Sequence, residues 1–300
     1  SRSERDGIGR RGYRGLGARP NTRTLPGMSV EVAVIPAAGK GTRMRPATRS
    51  VPKPLIPVLE KPAIQYVVEE AVGAGAHEVV FVLSDERILH HFTQGPPIQG
   101  LEEVAFRYVL QEEALGLGHA VLCAEDIVGD RPFTCLLSDR FPLPGSTLLT
   151  EMADTYRGQM VLALEEVEPE LIPLYGVVDA TADGARWRVS GAVEKPQPEA
   201  APSNLALVGR YVFPPSIFGR IAESAPGALG EIQVTDAIDA LARSEGAVGI
   251  NCTEELLDTG LPHGLAEATV AVALAREDIG PAFTRFLERR LRQSPRPGAT

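Results

Sequence analysis

One stretch near the amino end, residues 32–59 (VAVIPAAGKGTRMRPATRSVPKPLIPVL), restricts the possible folds of this chain most strongly. It opens with a short apolar, β-branched run from Val32 to Ile35, which is typical of a buried parallel strand that leads into a binding loop. Small residues follow the run: Ala37, Ala38, Gly39 and Gly41. Because small residues let backbone N–H groups approach a ligand closely, and consecutive amides in such a turn bind anions, the stretch predicts an anion-binding loop.

The charge of this stretch supports the same interpretation. It contains five cations and no carboxylate, whereas the chain as a whole has a formal net charge of −9 at pH 7. The cations are Lys40, Arg43, Arg45, Arg49 and Lys53. Two familiar phosphate motifs do not fit, because Met44 takes the place of the last Gly of GxGxxG and Gly41 separates Lys40 from Thr42 where a P-loop is continuous. A Gly-rich turn with solvated basic residues is the alternative interpretation.

Composition excludes several classes of protein. Three hundred residues with 44% hydrophobic content suit one or two domains with a sizeable core. No apolar run approaches the roughly 18 residues of a membrane span. Residues 1–28 carry seven Arg against Glu4 and Asp6 and lack the apolar stretch of a signal peptide, so we interpret them as a disordered basic leader. The remainder is more acidic than the whole chain, which argues against a nucleic-acid partner.

Cysteine usage indicates a reduced, cytoplasmic protein. The three cysteines, Cys123, Cys135 and Cys252, form no C-x-x-C pair, so the sequence predicts neither a disulfide framework nor a zinc site.

Periodicity predicts an α/β fold. A helix from Pro62 to Ala74 lies between the first strand and a second apolar strand at 78–83, and this arrangement forms a right-handed parallel unit with its binding loops at the carboxyl ends of the strands. A further strand at 133–138 ends at Asp139, either a cap or turn residue or a metal ligand, and Leu256 and Leu257 lead in the same way to Asp258. More strands are predicted at 104–111, 160–165, 175–179, 187–194 and 205–213, and more helices at 115–124, 230–243, 264–276 and 281–292. We therefore predict a Rossmann-like, mostly parallel mixed sheet flanked by helices.

Short motifs spread from Val32 to Leu291 resemble those of the bacterial UTP–glucose-1-phosphate uridylyltransferases and, more broadly, of the sugar-1-phosphate nucleotidyltransferases. They are AAGKGTR at 37–43, PK at 52–53, IQYVV at 64–68, GLGHA at 116–120, YGVV at 175–178, EKP at 194–196, APSN at 201–204, VGRY at 208–211, GEIQ at 230–233 with TD at 235–236, and DTG at 258–260. The resemblance implies that glucose 1-phosphate attacks the α-phosphorus of UTP, that UDP-glucose and pyrophosphate form, and that Mg²⁺ bridges the phosphates. Such a transfer depends on positioning and charge neutralisation more than on a covalent group.

The resemblance also implies a role for each matching residue. The implied catalytic residues are Arg43 and Lys53 on the triphosphate, Asp139 as a metal ligand and Lys195 on the sugar phosphate, with Asp258 as the second metal ligand. The implied nucleotide-binding residues are Ala37, Ala38, Gly39, Lys40, Gly41, Thr42, Gln111 and Gly116. The implied sugar-binding residues are Gly176, Glu194, Lys195 and Asn204.

On this basis we expect a nucleotidyltransferase domain at 29–262, with a nucleotide-binding half at about 29–150 and a sugar-binding half at about 151–262. Two C-terminal helices at 263–293 and a tail at 294–300 complete the chain, and we expect a homo-oligomer with no membrane partner. The chain departs from the family pattern at Pro54, where an acidic residue is usual, at Arg140, where a small or acidic residue often follows the metal Asp, and in a shorter connection at 91–104. A transferase for dTTP or another sugar 1-phosphate, and a weakly active nucleotide-sugar-binding regulator, are the alternatives.

Overall fold

The computed structural model describes residues 29–227 and 230–293, so the predicted leader and tail lie outside the described residues. The strands are β1 (Val32–Ala37), β2 (Pro57–Val58), β3 (Lys61–Pro62), β4 (Glu78–Leu83), β5 (Ala105–Leu110), β6 (Phe133–Leu136), β7 (Arg140–Pro142), β8 (Met160–Glu166), β9 (Gly176–Asp183), β10 (Arg186–Glu194), β11 (Leu205–Phe213), β12 (Ala247–Asn251) and β13 (Leu256–Asp258). The α-helices are α1 (Ala63–Gly73), α2 (Arg87–Thr93), α3 (Leu117–Leu122), α4 (Glu125–Val128), α5 (Leu148–Thr155), α6 (Ser216–Glu223), α7 (Val234–Glu245), α8 (Pro262–Ala275) and α9 (Gly280–Gln293).

A nine-stranded mixed sheet with the order β5-β4-β1-β6-β11-β8-β12-β10-β9 forms the centre of the molecule. The four strands β5, β4, β1 and β6 are parallel, and so is the pair formed by β8 and β12. The strands β9, β10 and β11 pair antiparallel with their neighbours. The predicted mixed α/β class is confirmed, although the parallel pairing is less extensive than we expected.

Apolar residues fill both faces of the sheet. All six residues of β1 are buried, as expected of a parallel strand that is covered on both sides. Because side chains alternate along a strand, Ile35 packs with Ile64 of α1 on one face, whereas Val34 packs in the cluster that contains Ile238 of α7 on the other. The core therefore lies in two layers, one on each side of the sheet, and it fixes the loops at the carboxyl ends of the parallel strands.

Most predicted elements lie within a few residues of the expected position, and the start of one helix differs for a clear reason. The strands at 78–83 and 205–213 match β4 and β11. Helix α1 begins at Ala63, with Pro62 just before it. The helix predicted from Gly230 begins only at Val234, because Gly230 has φ +71° and the Ile232 amide donates to the Leu115 carbonyl instead of joining the helix.

No helix in the described part of the chain is long and apolar enough to cross a membrane.

Candidate active site

Residues 38–56, which connect β1 to β2 and carry the five cations, form a loop that we call the cationic loop. It leaves the carboxyl end of β1 and folds back on itself through short 3-10 turns at Thr42–Met44, Ala47–Arg49 and Lys53–Leu55. Gly41 has φ +58°, and a Cβ at this position would lie 2.9 Å from Lys53 Cβ. The Thr48 hydroxyl donates to the Gly41 carbonyl at 2.8 Å and closes the turn. A glycine is required here because the backbone is left-handed and the two parts of the loop touch. This contact holds Lys53 against the start of the loop.

The cations of the loop differ in their surroundings. Lys53 is largely buried, and its Nζ lies 2.5 Å from Asp139 Oδ2. The other four, Lys40, Arg43, Arg45 and Arg49, are exposed and make no ion pair with a carboxylate among the described residues. The loop therefore presents four accessible positive charges, and Arg43 also lines the adjoining cleft.

The fold brings Asp139 and Asp258 together, although 119 positions separate them in the sequence. Strands β7 and β13 pair antiparallel, and both the amide and the hydroxyl of Thr259 donate to the Asp139 carbonyl, at 2.8 and 2.9 Å. A Cβ built on Gly260 would lie 2.7 Å from Asp258 Oδ1 and 3.5 Å from Asp139 Oδ2, so the two carboxylates flank one point. Asp139 itself lies in the turn between β6 and β7.

These carboxylates fit a divalent cation that is shared with phosphate oxygens. No group of three or more His, Cys, Asp or Glu side chains in the described ranges could hold a metal ion without other ligands. A site with two carboxylates, completed by phosphate oxygens and water, matches the hard oxygen coordination of Mg²⁺. Lys53, in contact with Asp139, already offsets part of the negative charge there.

Gln111, which follows β5, is held by contacts at its backbone and its side chain. Its amide donates to the Leu83 carbonyl at 2.8 Å, which extends the sheet beyond β4. Its side-chain Nε2 donates to the Gly116 carbonyl at 3.1 Å and lies 3.0 Å from His119 Nδ1. Gly116 has φ +100°, and a Cβ there would lie 2.7 Å from the Ile232 carbonyl, so only glycine allows this close approach. The sequence does not predict this contact of His119, because only the fold brings its ring to Gln111.

The predicted sugar-binding residues Gly176 and Glu194 meet where β9 and β10 pair. Glu194 accepts a hydrogen bond from the Thr235 hydroxyl at 2.6 Å and lies 3.0 Å from Lys195 Nζ. Lys195 has φ +46°, and its amide donates to the Tyr175 carbonyl at 2.9 Å. A Cβ on Gly176 would lie 2.8 Å from the Thr235 hydroxyl, so this glycine makes room for the hydroxyl. The sequence does not predict the hydrogen bond between Thr235 and Glu194, because 41 positions separate the two residues.

Asn204 lies apart from this cluster. It is exposed, its carbonyl accepts a hydrogen bond from the Val167 amide at 3.0 Å, and it does not belong to the residues that line the cleft. Ala206 pairs with Val177, and the residue of β11 that approaches Gly176 is Leu207, whose Cδ1 would lie 3.1 Å from a Cβ built on that glycine.

Negative charge accumulates near Glu194. Burial, and then the charges of Glu194 and Asp239, raise the pKa of Asp236. An anionic ligand on this side therefore needs a cation close to it, and Lys195 provides one.

A cleft of about 870 Å³ joins the two carboxylates, Arg43 and the Glu194–Lys195 pair, whereas Gln111 does not line it. Its lining includes Arg43 and Asp139, which follow parallel strands, Glu194 and Lys195, at the carboxyl end of β10, and Asp258. A cationic loop, two convergent carboxylates and a separate Lys–Glu pair around one cleft are the arrangement of a phosphate-handling α/β enzyme, with a cation on each side of the cleft for an anionic group.

Comparisons with known proteins give the family. Residues 32–274 match the model of the nucleotidyl transferase family, and the chain belongs to this family. The chain is 37% identical over 281 residues to a UTP–glucose-1-phosphate uridylyltransferase of Bacillus subtilis (strain 168), which covers 86% of this chain and 96% of the relative. The predicted resemblance is thereby confirmed.

Solved structures are similar over the same length. A UDP-glucose pyrophosphorylase complexed with UDP-glucose is 34% identical, with a TM-score of 0.77, and the match covers 82% of this chain and 100% of that one. A UTP-bound UGPase from Acinetobacter baumannii is 33% identical, also with a TM-score of 0.77, and the match covers 86% of this chain and 98% of that one.

Proposed function

We propose that this protein transfers a uridylyl group from UTP to glucose 1-phosphate, giving UDP-glucose and pyrophosphate. The observation that carries the proposal is one cleft in which Asp139 and Asp258 adjoin both the cationic loop and the Lys195–Glu194 pair. The similar proteins whose names include this activity, matched over nearly their whole length, support the choice of substrates.

In the proposed reaction, a phosphate oxygen of the sugar 1-phosphate forms a bond to the α-phosphorus of UTP. The bond from that phosphorus to the bridging oxygen breaks, and pyrophosphate leaves with the electron pair. The four accessible cations of the loop hold and neutralise the triphosphate, with Arg43 nearest the cleft. Lys195 holds the sugar phosphate, so the two substrates are positioned for in-line attack.

Asp139 and Asp258 are the proposed ligands of Mg²⁺, which when bound supplies charge neutralisation at the phosphates. Lys53 orients Asp139, because its ammonium donates a hydrogen bond to one carboxylate oxygen. The protein's own part of catalysis is thus to fix charges around the reacting phosphates in a partly enclosed site.

Gln111 is the residue that we propose recognises the nucleotide base. Because its NH₂ group contacts Gly116 and His119, its carbonyl oxygen remains to face the nucleotide. A carbonyl acceptor matches the N3–H donor of uracil and would face the unprotonated N3 of cytosine without a hydrogen bond. Thymine carries the same N3–H, so this contact alone does not separate UTP from dTTP.

The proposed function also implies an oligomeric state and a cellular compartment. We propose a cytoplasmic homo-oligomer whose ligands are UTP and the sugar phosphate. The proposed division at about residue 150 into a nucleotide-binding and a sugar-binding half agrees with the separate placement of Gln111 and Glu194.

A pyrophosphate-release assay tests the proposal. The protein is incubated with Mg²⁺ and each of UTP, dTTP, ATP, GTP and CTP, paired in turn with glucose 1-phosphate and other sugar 1-phosphates. We expect the highest kcat/KM for UTP with glucose 1-phosphate. A higher value for another pair would correct the substrates, whereas nucleotide-sugar binding without turnover for any pair would indicate a regulator.

A further inference from the structure

Arg140 is a cation of the cleft to which the function proposed above gives no role. Its side chain is only 13% exposed, and its buried Nε has no hydrogen-bond partner in the part of the chain that the structure describes. The Nε lies 4.0 Å from Asp258 Oδ2, and the guanidinium carbon lies 5.8 Å from the ring centroid of Tyr175.

The backbone of Arg140 is fixed on both sides. It pairs with Asp258 in the ladder of β7 and β13, and its carbonyl accepts a hydrogen bond from the guanidinium of Arg210. Arg210 is fully buried and binds Glu70 of α1 through two hydrogen bonds of 2.9 Å. Arg140 therefore projects into the cleft from a rigid frame, which is what a preorganised binding residue requires.

The contacts of Arg140 within the described part of the protein leave the hydrogen-bonding capacity of its Nε–H unused. A separation of 4.0 Å is too long for a hydrogen bond, and the carboxylate at that distance belongs to Asp258, whose side chain is 53% exposed. A largely buried guanidinium with an unpartnered N–H is costly unless a ligand completes its hydrogen bonds. Its planar fork matches phosphate oxygens bidentately, which an ammonium cannot do.

The position of Arg140 indicates which substrate phosphate it could contact. It lies between Asp258, on the metal side of the cleft, and Tyr175, which precedes the sugar-side residue Gly176. Lys195, the other cation there, is 55% exposed and already contacts Glu194 at 3.0 Å, so it is partly neutralised. A phosphate at this junction would thus be held by Lys195 from one side and by Arg140 from the other.

We propose that Arg140 binds the phosphate of the sugar 1-phosphate, and the same phosphate once it has become part of the nucleotide sugar. This inference rests on the proposed function. It assigns to this chain an extra phosphate-binding cation at a position where the resembling family often has a small or acidic residue.

The test compares two ligands by calorimetry at constant Mg²⁺. UDP-glucose retains the phosphate that came from the sugar 1-phosphate, whereas UTP places its β-phosphate on the opposite, leaving side of the α-phosphorus. For Arg140→Gln we expect the Kd of UDP-glucose and the KM of glucose 1-phosphate to rise about ten- to a hundredfold, and the Kd of UTP less than about threefold. Arg140→Lys, which keeps the charge without the fork, should lie between Arg140→Gln and the unmodified protein.

Arg188→Gln is the matched control, because Arg188 is exposed and pairs with Asp183 near the far end of the hairpin of β9 and β10. It should leave both affinities unchanged. If Arg140→Gln and Arg140→Lys bind UDP-glucose as the unmodified protein does, Arg140 only offsets the charge of Asp258 and the proposal is wrong. Equal weakening of UTP and UDP-glucose would also overturn it. Failure of the unmodified protein to bind UDP-glucose would instead contradict the proposed function, and this role of Arg140 with it.

Discussion

Substitution of Lys195 should weaken the binding of one substrate much more than that of the other. We expect Lys195→Ala to raise the KM of glucose 1-phosphate about ten- to a hundredfold, because a charge-assisted contact to a phosphate is worth about 1.5–3 kcal/mol. The KM of UTP should change much less, since Lys195 lies beside Glu194 on the sugar side. Steady-state kinetics with each substrate varied in turn measures both values.

Lys61→Ala is the control for Lys195, because Lys61 pairs with Glu69 at 2.6 Å and does not line the cleft. If Lys195→Ala lost UTP binding and kept its affinity for glucose 1-phosphate, the two sides of the cleft would be assigned the wrong way round.

Asp139 and Asp258 should each be required for turnover. Two carboxylates around one point repel unless a cation lies between them, and Lys53 forms its ion pair with Asp139. We expect Asp139→Asn or Asp258→Asn to lower kcat by at least about a hundredfold, the scale of losing one electrostatic stabiliser. Raising the Mg²⁺ concentration should restore part of the activity.

The control for these two variants is Asp183→Asn, since Asp183 is exposed at the end of β9, away from the cleft. Turnover close to that of the unmodified protein in both Asp139→Asn and Asp258→Asn would remove the metal site from the proposal.

The sequence predicted some of these residues and not others, for a physical reason. The sequence predicts that Asp139 and Asp258 meet, but the structure achieves this in another way than expected. Strand β13 pairs antiparallel with β7 in a two-stranded sheet of its own, so Asp258 at the end of β13 lies beside the start of β7, which Asp139 precedes. The contacts of Thr235 with Glu194 and of His119 with Gln111 could not be predicted, since they depend on how α7 and α3 pack against the ends of β10 and β5. Asn204 is predicted at the sugar site from its motif alone, and in the structure it is Leu207 of β11 that approaches Gly176.

At the scale of elements, helix α8 positions Asp258. Gly264 lies in the first turn of α8, and a Cβ there would lie 2.1 Å from the Asp258 carbonyl oxygen. This backbone contact cannot yield as a flexible side chain would, so Gly264→Ala must displace either the helix or β13. We expect a lower melting temperature and at least a tenfold loss of kcat, on the scale of about 1.4 kcal/mol for a misplaced catalytic group.

Gly219→Ala is the matched helix control. Gly219 lies in α6, and no atom lies within 4 Å of where its Cβ would be. Alanine there should raise stability by up to about 1 kcal/mol through helix propensity and leave kcat unchanged. Equal behaviour of the two variants in thermal unfolding and turnover would show that α8 does not hold Asp258 in place.

At the scale of the whole molecule, the order of the strands is what the sequence could not predict. Periodicity locates apolar strands, but it does not show that β11 inserts between β6 and β8, far from both in sequence. That insertion places Arg210 opposite Leu136, just below the turn that carries Asp139. The VGRY motif alone gave no reason to expect a fully buried arginine, because its partner Glu70 lies 140 positions away.

The buried pair of Arg210 and Glu70 should be the charged contact on which global stability depends most. Arg210 also donates to the carbonyls of Gly209 and Arg140, so it joins α1, β11 and β7. Arg210→Met leaves the Glu70 carboxylate buried without its partner, and we expect a loss of about 3–5 kcal/mol in the free energy of unfolding. Denaturant-induced unfolding measures this loss, and kcat should fall as well because the Asp139 turn loses its support.

Two further variants separate the loss of a charge pair from the loss of packing. Arg210→Met combined with Glu70→Leu removes both charges, and it should recover most of the stability because no buried charge is left unpaired. Its kcat should stay low, since the carbonyl of Arg140 still lacks its donor. Arg131→Met breaks the pair of the half-exposed Arg131 with Glu78, which keeps Arg107 as a partner, and should cost about 1 kcal/mol or less. If Arg210→Met cost no more than Arg131→Met, or if the double variant were as unstable as the single one, the buried pair would not be what joins the sheet to α1.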